Sequence, residues 1–356
     1  MDMEMLNLFE DGLRRFNRER YSPAQLVESA KTGHGTSHWQ EMAALGWFDL
    51  GVAEAGLPEI VPLLSVYRAA GEGLWREPID CVFGESAVVV GSVGDASLRR
   101  RLSEGLASGR QPLAYAARER GGEWSPARPA TCAQPGPDGV VLTGHKIAVV
   151  EDSARTGYLV TASDADSGRS SCYQVERGAS GLEIVRYPTV EGRHLADLHF
   201  VRTPAQFVCE LPAGQLLDVW GSLLAAAESV GIMRGASQDT LAYLRQRRQF
   251  GRPLIDFQVL QHRLAEMLML ERETDALLRD LAEDLDEDRR VDSRALLALG
   301  AQASRAVRHV TREAVQMHGG MGVTQECRVS HYYRRALTLD SRCGGEAWAL
   351  AQLAAA

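Results

Sequence analysis

The sequence predicts an α+β protein in three parts: an N-terminal helical domain, a middle β-barrel or sandwich domain, and a C-terminal four-helix bundle. Two observations predict this order. Apolar residues recur at helical spacing as far as about Gly109, alternate with a period of two as far as about Pro212, and then return to helical spacing. Clusters of Gly, Pro, Asp and Ser also separate the middle segments, as turns separate short strands. We therefore place the domains at residues 1–109, 110–212 and 213–356.

The sequence of the N-terminal part predicts helices, and we find no catalytic or binding motif in it. Trp39, Met42, Ala43 and Trp47 recur at steps of three and four residues, which gives one segment an apolar face. Further helical segments start at Ile60 and Leu98, and Pro78 and Gly84 interrupt the pattern between them.

The middle part predicts six short strands. They are PLAYAA, GVVLTGHKIAVV, TGYLVTAS, SSCYQVE, LEIVRYP and ADLHFV, and a turn, QPGPDG, occupies Gln134 to Gly139. Six strands in about a hundred residues are typical of a compact barrel or sandwich.

The C-terminal part predicts long helices. One apolar stripe begins at Leu216 and a second at Phe257. A polar linker, EDLDEDRRVDS from Glu283, precedes a third helix from Arg294 to about His318. A segment from His331 to Leu339 and a helical run from Glu346 complete the bundle.

Composition excludes several classes of protein. A net charge of -8 without a basic stripe argues against nucleic acid as a partner. We expect no membrane insertion, because we find no apolar run of spanning length and the acidic N-terminus lacks a signal-peptide pattern. The six cysteines are scattered without a C-x-x-C pair, which predicts neither a metal site nor a disulfide framework and favours a reduced, cytoplasmic setting.

Two short motifs carry groups suited to a phosphorylated cofactor. The first is RRQFGRPLIDFQ, Arg247 to Gln258, in which guanidinium groups can bind phosphate oxygens and phenylalanines can cover a flat ring. The second is QMHGGMG, Gln316 to Gly322, whose glycines let a backbone approach a pyrophosphate.

Together these motifs resemble the acyl-CoA dehydrogenase family. Its members carry R-x-Q-F-G-x-P-[IL]-x-x-F-Q-x-[IVL]-Q, which matches Arg247 to Gln261 and is followed here by LAEM. They then carry Q-x-x-G-G-x-G ahead of a Tyr-Arg segment, here Tyr333 and Arg334. The resemblance implies the acyl-CoA dehydrogenase fold, FAD as cofactor, an acyl-CoA substrate and an electron-transfer acceptor.

The resemblance also implies which residues contact FAD across a subunit interface. It places Arg247 at the pyrophosphate, and Gln249, Phe250, Leu254 and Phe257, with Gln258 beside them, on the adenosine side. The second motif would face the diphosphate of the neighbouring subunit's cofactor through Gln316, Gly319 and Gly320.

The catalytic base of the family is missing from its usual positions. Members remove the α proton of the thioester with a glutamate just before a glycine, where this chain has Cys343. A second location known in the family falls at Gly221. Glu228 and Glu346 are weak replacement candidates, and Cys343 as a thiolate is weaker still, because an unperturbed thiol has a pKa of about 8.5.

The side of the site that would hold the flavin ring also departs from the family. Of the segment Ala116 to Trp124 only Glu119 matches clearly, and the W-x-T element that packs on the ring aligns with Ala148 and Val150. The Asp and Arg used near the thioester align with Val219 and Ser222.

This asymmetry predicts a subunit that lacks its own base and completes the FAD site of a homologous partner. Such unequal pairs resemble the α2β2 acyl-CoA dehydrogenases of bacterial steroid catabolism. Two alternatives stay open within the family: a self-sufficient homotetramer or homodimer with an atypical base, and a catalytically silent assembly or binding subunit. A third is a flavin enzyme of the same fold that acts on another substrate, such as a nitroalkane, although those carry Asp at the base position.

Overall fold

The protein is described from a computed structural model. It describes residues 3–22, 24–25, 37–53, 56–121, 129–136, 139–150, 157–165, 168–211, 216–287, 289, 291–342 and 345–355.

The N-terminal part is helical. Its elements are α1 (Met3–Arg20), α2 (Trp39–Ala44), a 3-10 turn (Trp47–Gly51), α3 (Ile60–Gly73), α4 (Asp80–Phe83), α5 (Glu85–Gly91) and α6 (Ala96–Ala107). The short helices α4 and α5 occupy the segment in which the sequence predicted only an interruption. Gly84 separates them, and a Cβ there would lie 2.6 Å from the Asp80 carbonyl oxygen, so only glycine fits the corner.

The middle part is a β-barrel. Its strands are β1 (Leu113–Ala116), β2 (Cys132–Gly136), β3 (Gly139–Val150), β4 (Gly157–Asp164), β5 (Ser170–Val175), β6 (Leu182–Pro188) and β7 (His194–Glu210). Hydrogen bonding runs in the closed order β4-β2-β3-β7-β5 and back to β4, with β1 added beside β4 and β6 beside β7. The barrel prediction is confirmed, but β2 was not predicted and β7 runs further than expected.

The C-terminal part is the predicted helix bundle. Its helices are α7 (Leu216–Gln246), α8 (Gln258–Asp286), α9 (Ser293–His318), α10 (Arg328–Arg342) and α11 (Gly345–Ala355). A hairpin of β8 (Arg248–Gln249) and β9 (Arg252–Pro253) and a 3-10 turn (Leu254–Asp256) join α7 to α8, and a second 3-10 turn (Gly319–Val323) follows α9. The start of the acidic run predicted as a linker is in fact helical, because α8 continues to Asp286.

Helix α7 is the central element of the fold. A Cβ on Gly231 would lie 2.0 Å from the Arg68 carbonyl oxygen, and one on Gly71 would lie 2.3 Å from that of Glu228, so glycine lets α3 and α7 pack in close contact. The Trp220 indole donates a 2.9 Å hydrogen bond to the Phe83 carbonyl oxygen. These contacts fix the N-terminal helices against the bundle.

The expectation that no apolar segment reaches spanning length was wrong for α7. This helix contains an 18-residue window with a mean hydropathy of 1.4, which passes a test for membrane spans based on length and composition. However, 67% of that window is buried inside the protein. Its apolar character is therefore accounted for by packing in the bundle core.

Candidate functional site

The first predicted motif forms a tight hairpin at the end of α7. Strands β8 and β9 pair Arg248 with Pro253, and the Leu254 amide donates a 2.8 Å hydrogen bond to the Arg247 carbonyl oxygen. The two turn residues, Phe250 and Gly251, both have positive φ, 51° and 80°. This is the backbone of a type I′ turn, which suits glycine and strains phenylalanine. An aromatic residue held there at a cost points to a function for its side chain.

The hairpin presents aromatic and cationic groups to solvent. Phe250 is 89% exposed, and its ring lies 6.1 Å from that of Phe257 in an edge-on arrangement. The guanidinium carbon of Arg252 lies 4.0 Å from the centre of the Phe257 ring. Arg247 and Gln249 are exposed as well. This set of groups can cover a planar ring and bind an anion on the same surface.

The second predicted motif ends helix α9 in a glycine turn. Gly319 has φ +62°, which terminates the helix, and a Cβ on Gly320 would meet no atom within 4 Å. A Cβ on Gly322 would lie 2.4 Å from the Val315 carbonyl oxygen, so Gly322 is needed for packing. Gln316 and Gly320 are exposed. The backbone around Gly320 is therefore open to close approach by a ligand.

A ring stack joins the two motifs. The imidazole of His318 lies 4.3 Å from the Tyr243 ring, with an angle of 23° between their planes, and its Nδ1 is 2.8 Å from the Ala314 carbonyl oxygen. Tyr243 lies one helical turn before Arg247. The ends of α7 and α9 therefore lie side by side. We call the surface formed by the two motifs the nucleotide surface; it comprises Arg247, Gln249, Phe250, Leu254, Phe257, Gln258, Gln316, Gly319 and Gly320.

A cavity of 840 Å³ lies where the three parts of the chain meet. The N-terminal helices contribute Asp80 and Glu85 to its wall. Other lining residues are Tyr115, Arg118, Ile147 and Ala148 from the barrel, and Gly221, Ser222, Leu296, Gly300, Asp340 and Trp348 from the bundle. Many of the α7 and α9 residues in the wall are glycine, alanine or serine, so the space is wide.

A buried ion pair supports the barrel side of this wall. Lys146 Nζ lies 2.6 Å from Glu119 Oε1 and donates at 2.9 Å to the Thr161 hydroxyl. The Thr131 amide and hydroxyl also donate to Glu119. Burial raises the pKa of Glu119, but the hydrogen bonds from Lys146 and Thr131 outweigh it, and the pKa falls to about 2. The pair fixes the segment that follows β1.

The barrel wall has a bulge where the family places its ring-packing element. Pairing of β3 with β7 shifts register between Lys146 and Val149. Within the bulge Ala148 has φ 53°, and its amide donates at 3.1 Å to Asp197. Ala148 lines the cavity, so a small side chain stands where the resemblance places a large aromatic ring.

The structure turns Glu228, a sequence candidate for the base, away from the cavity. Its Oε1 accepts a 2.6 Å hydrogen bond from Arg335 Nε, and both side chains are buried. Arg335 also donates to Glu191 at 2.7 and 2.8 Å. Glu228 is not among the cavity-lining residues, because its carboxylate bridges α7 to α10 instead.

Glu346, another candidate for the base, lies away from the cavity. Glu346 accepts a 2.6 Å hydrogen bond from Arg308 and does not line the cavity. Cys343 lies outside the described residues.

Five carboxylates that the sequence did not single out line the cavity: Asp80, Glu85, Glu210, Asp218 and Asp340. Asp340 accepts a hydrogen bond from the Ser304 hydroxyl and lies 3.7 Å from Arg308. A Cβ on Gly221 would lie 2.7 Å from Glu85 Oε1. The contact joins residues 136 positions apart, so no local pattern could have revealed it.

Comparison with known proteins identifies the C-terminal part of the chain. Residues 219–356 match the family described as "Acyl-CoA dehydrogenase, C-terminal domain". Among curated relatives, Acyl-CoA dehydrogenase IpdE2 of Mycolicibacterium smegmatis is 37% identical over 116 residues, which cover 32% of this chain and 35% of that protein. The aligned part of the chain covers 35% of the length of this relative and 66% of the length of a second curated relative.

Solved structures match over nearly the whole chain. A variant of the Tcur3481-Tcur3483 steroid ACAD superposes with a TM-score of 0.85 at 26% identity, covering 99% of this chain and 97% of that one. The ChsE4-ChsE5 complex from Mycobacterium tuberculosis superposes with a TM-score of 0.87 at 21% identity, with the same coverage, and so is informative about fold. The arrangement of helices, barrel and bundle is that of these proteins.

Proposed function

We propose that this chain, whose residues 219–356 match the C-terminal domain of acyl-CoA dehydrogenases, is a member of that family of FAD-binding flavoproteins. In this proposal it is an FAD-dependent oxidoreductase subunit that acts on acyl-CoA thioesters. The reaction would introduce a double bond between Cα and Cβ of the acyl group. One observation carries the proposal: the chain has both a nucleotide surface and a wide cavity, at opposite ends of helix α7.

The nucleotide surface fits the ADP half of FAD. Arg247 is exposed and can bind the pyrophosphate, while Phe250 and Phe257 can cover the adenine. The backbone at Gly320 is open enough for phosphate oxygens to approach. FAD, when bound, accepts a hydride at its isoalloxazine ring.

The length of α7 supports a cofactor shared between two chains. At about 1.5 Å per residue, Gly221 in the cavity and Gln246 beside the hairpin are about 38 Å apart. This is further than one FAD can reach with its ring in the cavity. The nucleotide surface of one chain would therefore hold the ADP half of a cofactor whose ring lies in the cavity of a neighbour.

The neighbour is a homologous chain in this proposal, either a second copy or a different subunit. Two of the matched solved structures are named as pairs of different chains, and one is called a steroid ACAD. The loss of glutamate at positions 343 and 221 also suits a two-subunit assembly such as α2β2. An electron-transfer protein would reoxidise the flavin.

The cavity suggests a bulky acyl group, such as a steroid-derived one. Its volume of 840 Å³ is at the upper end of ligand pockets, which span about 300–1,000 Å³. Ala148 and Gly300 leave space where larger side chains would narrow it. Apolar residues such as Leu296, Leu297 and Val307 can bury a fused-ring surface.

A self-sufficient enzyme with an atypical base is a second candidate, and one observation favours it. Glu85, Asp218 and Asp340 put carboxylates in the cavity wall, so a partner need not supply the base. A catalytically silent subunit is the third candidate, and the nucleotide surface argues against it.

The proposal is tested by cofactor content. The chain is purified alone and together with any homologous chain that it binds, and FAD per chain is measured by absorbance. We expect Arg247→Ala to lose FAD, and Arg272→Ala, an exposed arginine on α8, to retain it. Protein that holds no flavin in either preparation and does not bleach with any acyl-CoA would overturn the assignment in favour of a silent subunit.

A further inference from the structure

Gly221 aligns with the second position at which the family carries its catalytic base, and it has no side chain. A carboxylate from another part of the chain lies beside it in the cavity. Gly221 lies on α7 in the cavity wall. A Cβ built there would lie 2.7 Å from Glu85 Oε1 and 3.4 Å from Glu85 Cδ. The Glu85 carboxylate, from the N-terminal helices, therefore occupies the space into which a side chain at 221 would extend.

We infer that Glu85 is the catalytic base of the proposed reaction and removes the α proton of the acyl thioester in place of a glutamate at 221. The inference rests on the proposed function. It also assigns the base to this chain, whereas the sequence had predicted that a partner supplies it.

The surroundings hold Glu85 in a defined position. Glu85 begins α5 directly after the Gly84 corner, and Ser86 donates a 3.0 Å hydrogen bond to the Asp80 carbonyl oxygen. The Phe83 carbonyl oxygen accepts a 2.9 Å hydrogen bond from Trp220, the residue just before Gly221. The corner that carries Glu85 is thus tied to the helix turn that carries Gly221. Such support is what a base needs to stay within reach of one proton.

A buried tyrosine lies close to Glu85. Tyr115 of β1 lines the same cavity, and burial raises its pKa well above the ordinary value, with the charges of Cys172, Glu85 and Asp218 adding to the effect. Tyr115 is therefore a neutral phenol close to the Glu85 carboxylate. A half-buried carboxylate beside a neutral phenol is a suitable acceptor for a carbon-bound proton.

The other carboxylates in the wall are less well placed. Asp80 accepts a 2.9 Å hydrogen bond from Tyr67, and Glu210 pairs with Arg169 at 2.9 Å in an exposed position. Asp340 accepts from Ser304 and faces Arg308. Asp218, one turn before Gly221 on α7, is exposed and is the nearest competitor. It must be tested beside Glu85.

The proposed reaction conserves atoms and electrons. The bond between Cα and its hydrogen breaks, the proton moves to a Glu85 oxygen, and the electron pair forms the new bond between Cα and Cβ. A bound, oxidised flavin, which is the oxidant of the proposed function, would accept the hydride that leaves Cβ. Two hydrogens leave the substrate, and two electrons go to the flavin.

The test separates proton removal from flavin reduction. The probe is an acyl-CoA analogue whose β carbon is replaced by sulfur, so that no hydride can leave, and exchange of its α protons with D₂O is followed by NMR. The full chain is used with FAD and with any homologous chain that it binds. We expect exchange with the wild-type protein and a loss of roughly 100-fold or more in Glu85→Gln. Glu104→Gln, an exposed glutamate on α6, should exchange like wild type.

Two further variants test the position rather than the residue alone. Gly221→Ala pushes the Glu85 carboxylate aside and should slow exchange, because the added Cβ meets the end of a flexible side chain. A double variant, Glu85→Ala with Gly221→Glu, moves the carboxylate to α7 and should recover exchange that Glu85→Ala alone has lost. A purely structural role for Glu85 would not be rescued in this way. If Glu85→Gln does not fold, these variants still decide the matter.

Several outcomes would overturn the inference. In the first, the Glu85→Gln variant exchanges the α protons as fast as wild type. In the second, Asp218→Asn abolishes exchange while Glu85→Gln retains it. In the third, the wild-type protein binds FAD and the analogue but shows no exchange. The last result would show that Glu85 does not remove the α proton. Failure of wild-type protein to bind either FAD or the analogue would instead contradict the proposed function itself.

Discussion

Arg335 holds Glu228 in a buried ion pair, with Nε of the guanidinium 2.6 Å from Oε1 of the carboxylate. The same guanidinium binds Glu191 in the turn between β6 and β7, and Glu191 in turn pairs with Arg193 at 2.9 Å. One cation thus ties α10 to α7 and to the barrel. The carboxylate that helical spacing offered as a base is occupied by this structural contact.

We predict a large loss of stability in Arg335→Met. Removing the cation deletes the main ion pair of the buried Glu228 carboxylate, which costs about 3–5 kcal/mol of the free energy of unfolding. Urea denaturation followed by circular dichroism measures it. Arg14→Met is the matched control, because Arg14 is 54% exposed and its pairs with Glu10 and Asp11 should be worth less than about 1 kcal/mol. Equal effects of the two changes would contradict the role given to Arg335.

Phe250→Gly should separate folding from binding. Phe250 has φ 51° in the hairpin turn, a conformation that glycine adopts without strain, so we expect the free energy of unfolding to stay the same or rise by about 1 kcal/mol. FAD affinity, measured by fluorescence titration of the oligomer, should fall because the exposed ring is lost. A variant that binds FAD as tightly as wild type would show that this ring does not cover the adenine.

Gly300→Leu should narrow the range of substrates. Gly300 lines the cavity on α9, and a Cβ there would meet no atom within 4 Å, so leucine can enter the open space without displacing the backbone. We expect kcat/KM for bulky polycyclic acyl-CoAs to fall at least tenfold, with short acyl-CoAs little affected. Gly12→Leu on α1, which also has open space around it, is the control. An equal loss for short and bulky substrates would speak against a size filter at this position.

We predict that Glu119 makes the free energy of unfolding depend on pH in the acid range. The hydrogen bonds from Lys146 and Thr131 hold its pKa below the ordinary value despite burial, so the folded state favours the charged form. Its contribution is present above the ordinary pKa of about 4.5 and is lost as the pH falls from there towards about 2. Urea midpoints between about pH 5 and pH 3 should fall less steeply in Glu119→Gln than in wild type. Glu104→Gln, an exposed carboxylate, should follow the wild-type slope.

Local patterns predicted the elements with a strong period. Strand β3 (Gly139–Val150) and helix α9 (Ser293–His318) lie within a residue or two of the predicted limits, because their apolar spacing is regular and turn or capping residues bound them. Strand β2 was missed because CAQPG lacks alternation and contains Pro135. Its strand geometry comes from pairing with β3 and β4.

The parts of the candidate site that could be predicted from the sequence are those that are local in the chain. The nucleotide surface is built from two contiguous motifs, and their glycines and arginines are visible in the sequence, although the ring stack of Tyr243 on His318 that brings them together is not. The proximity of Glu85 to Gly221 could not be predicted for the same reason. Its relation to Gly221 exists only after α5 packs on α7, and the glycine gave no sign of which distant side chain would fill its place.

The separation of cavity and hairpin along α7 has a consequence for stoichiometry. In the assembly we propose, each chain contributes its nucleotide surface to the FAD site of a neighbour and depends on a neighbour for its own. An oligomer of identical chains would therefore bind one flavin per chain. An oligomer of two chain types, one of which cannot bind the isoalloxazine, would bind one flavin for every two chains. Counting flavins against chains of each type would therefore reveal which end of α7 each gene product still uses.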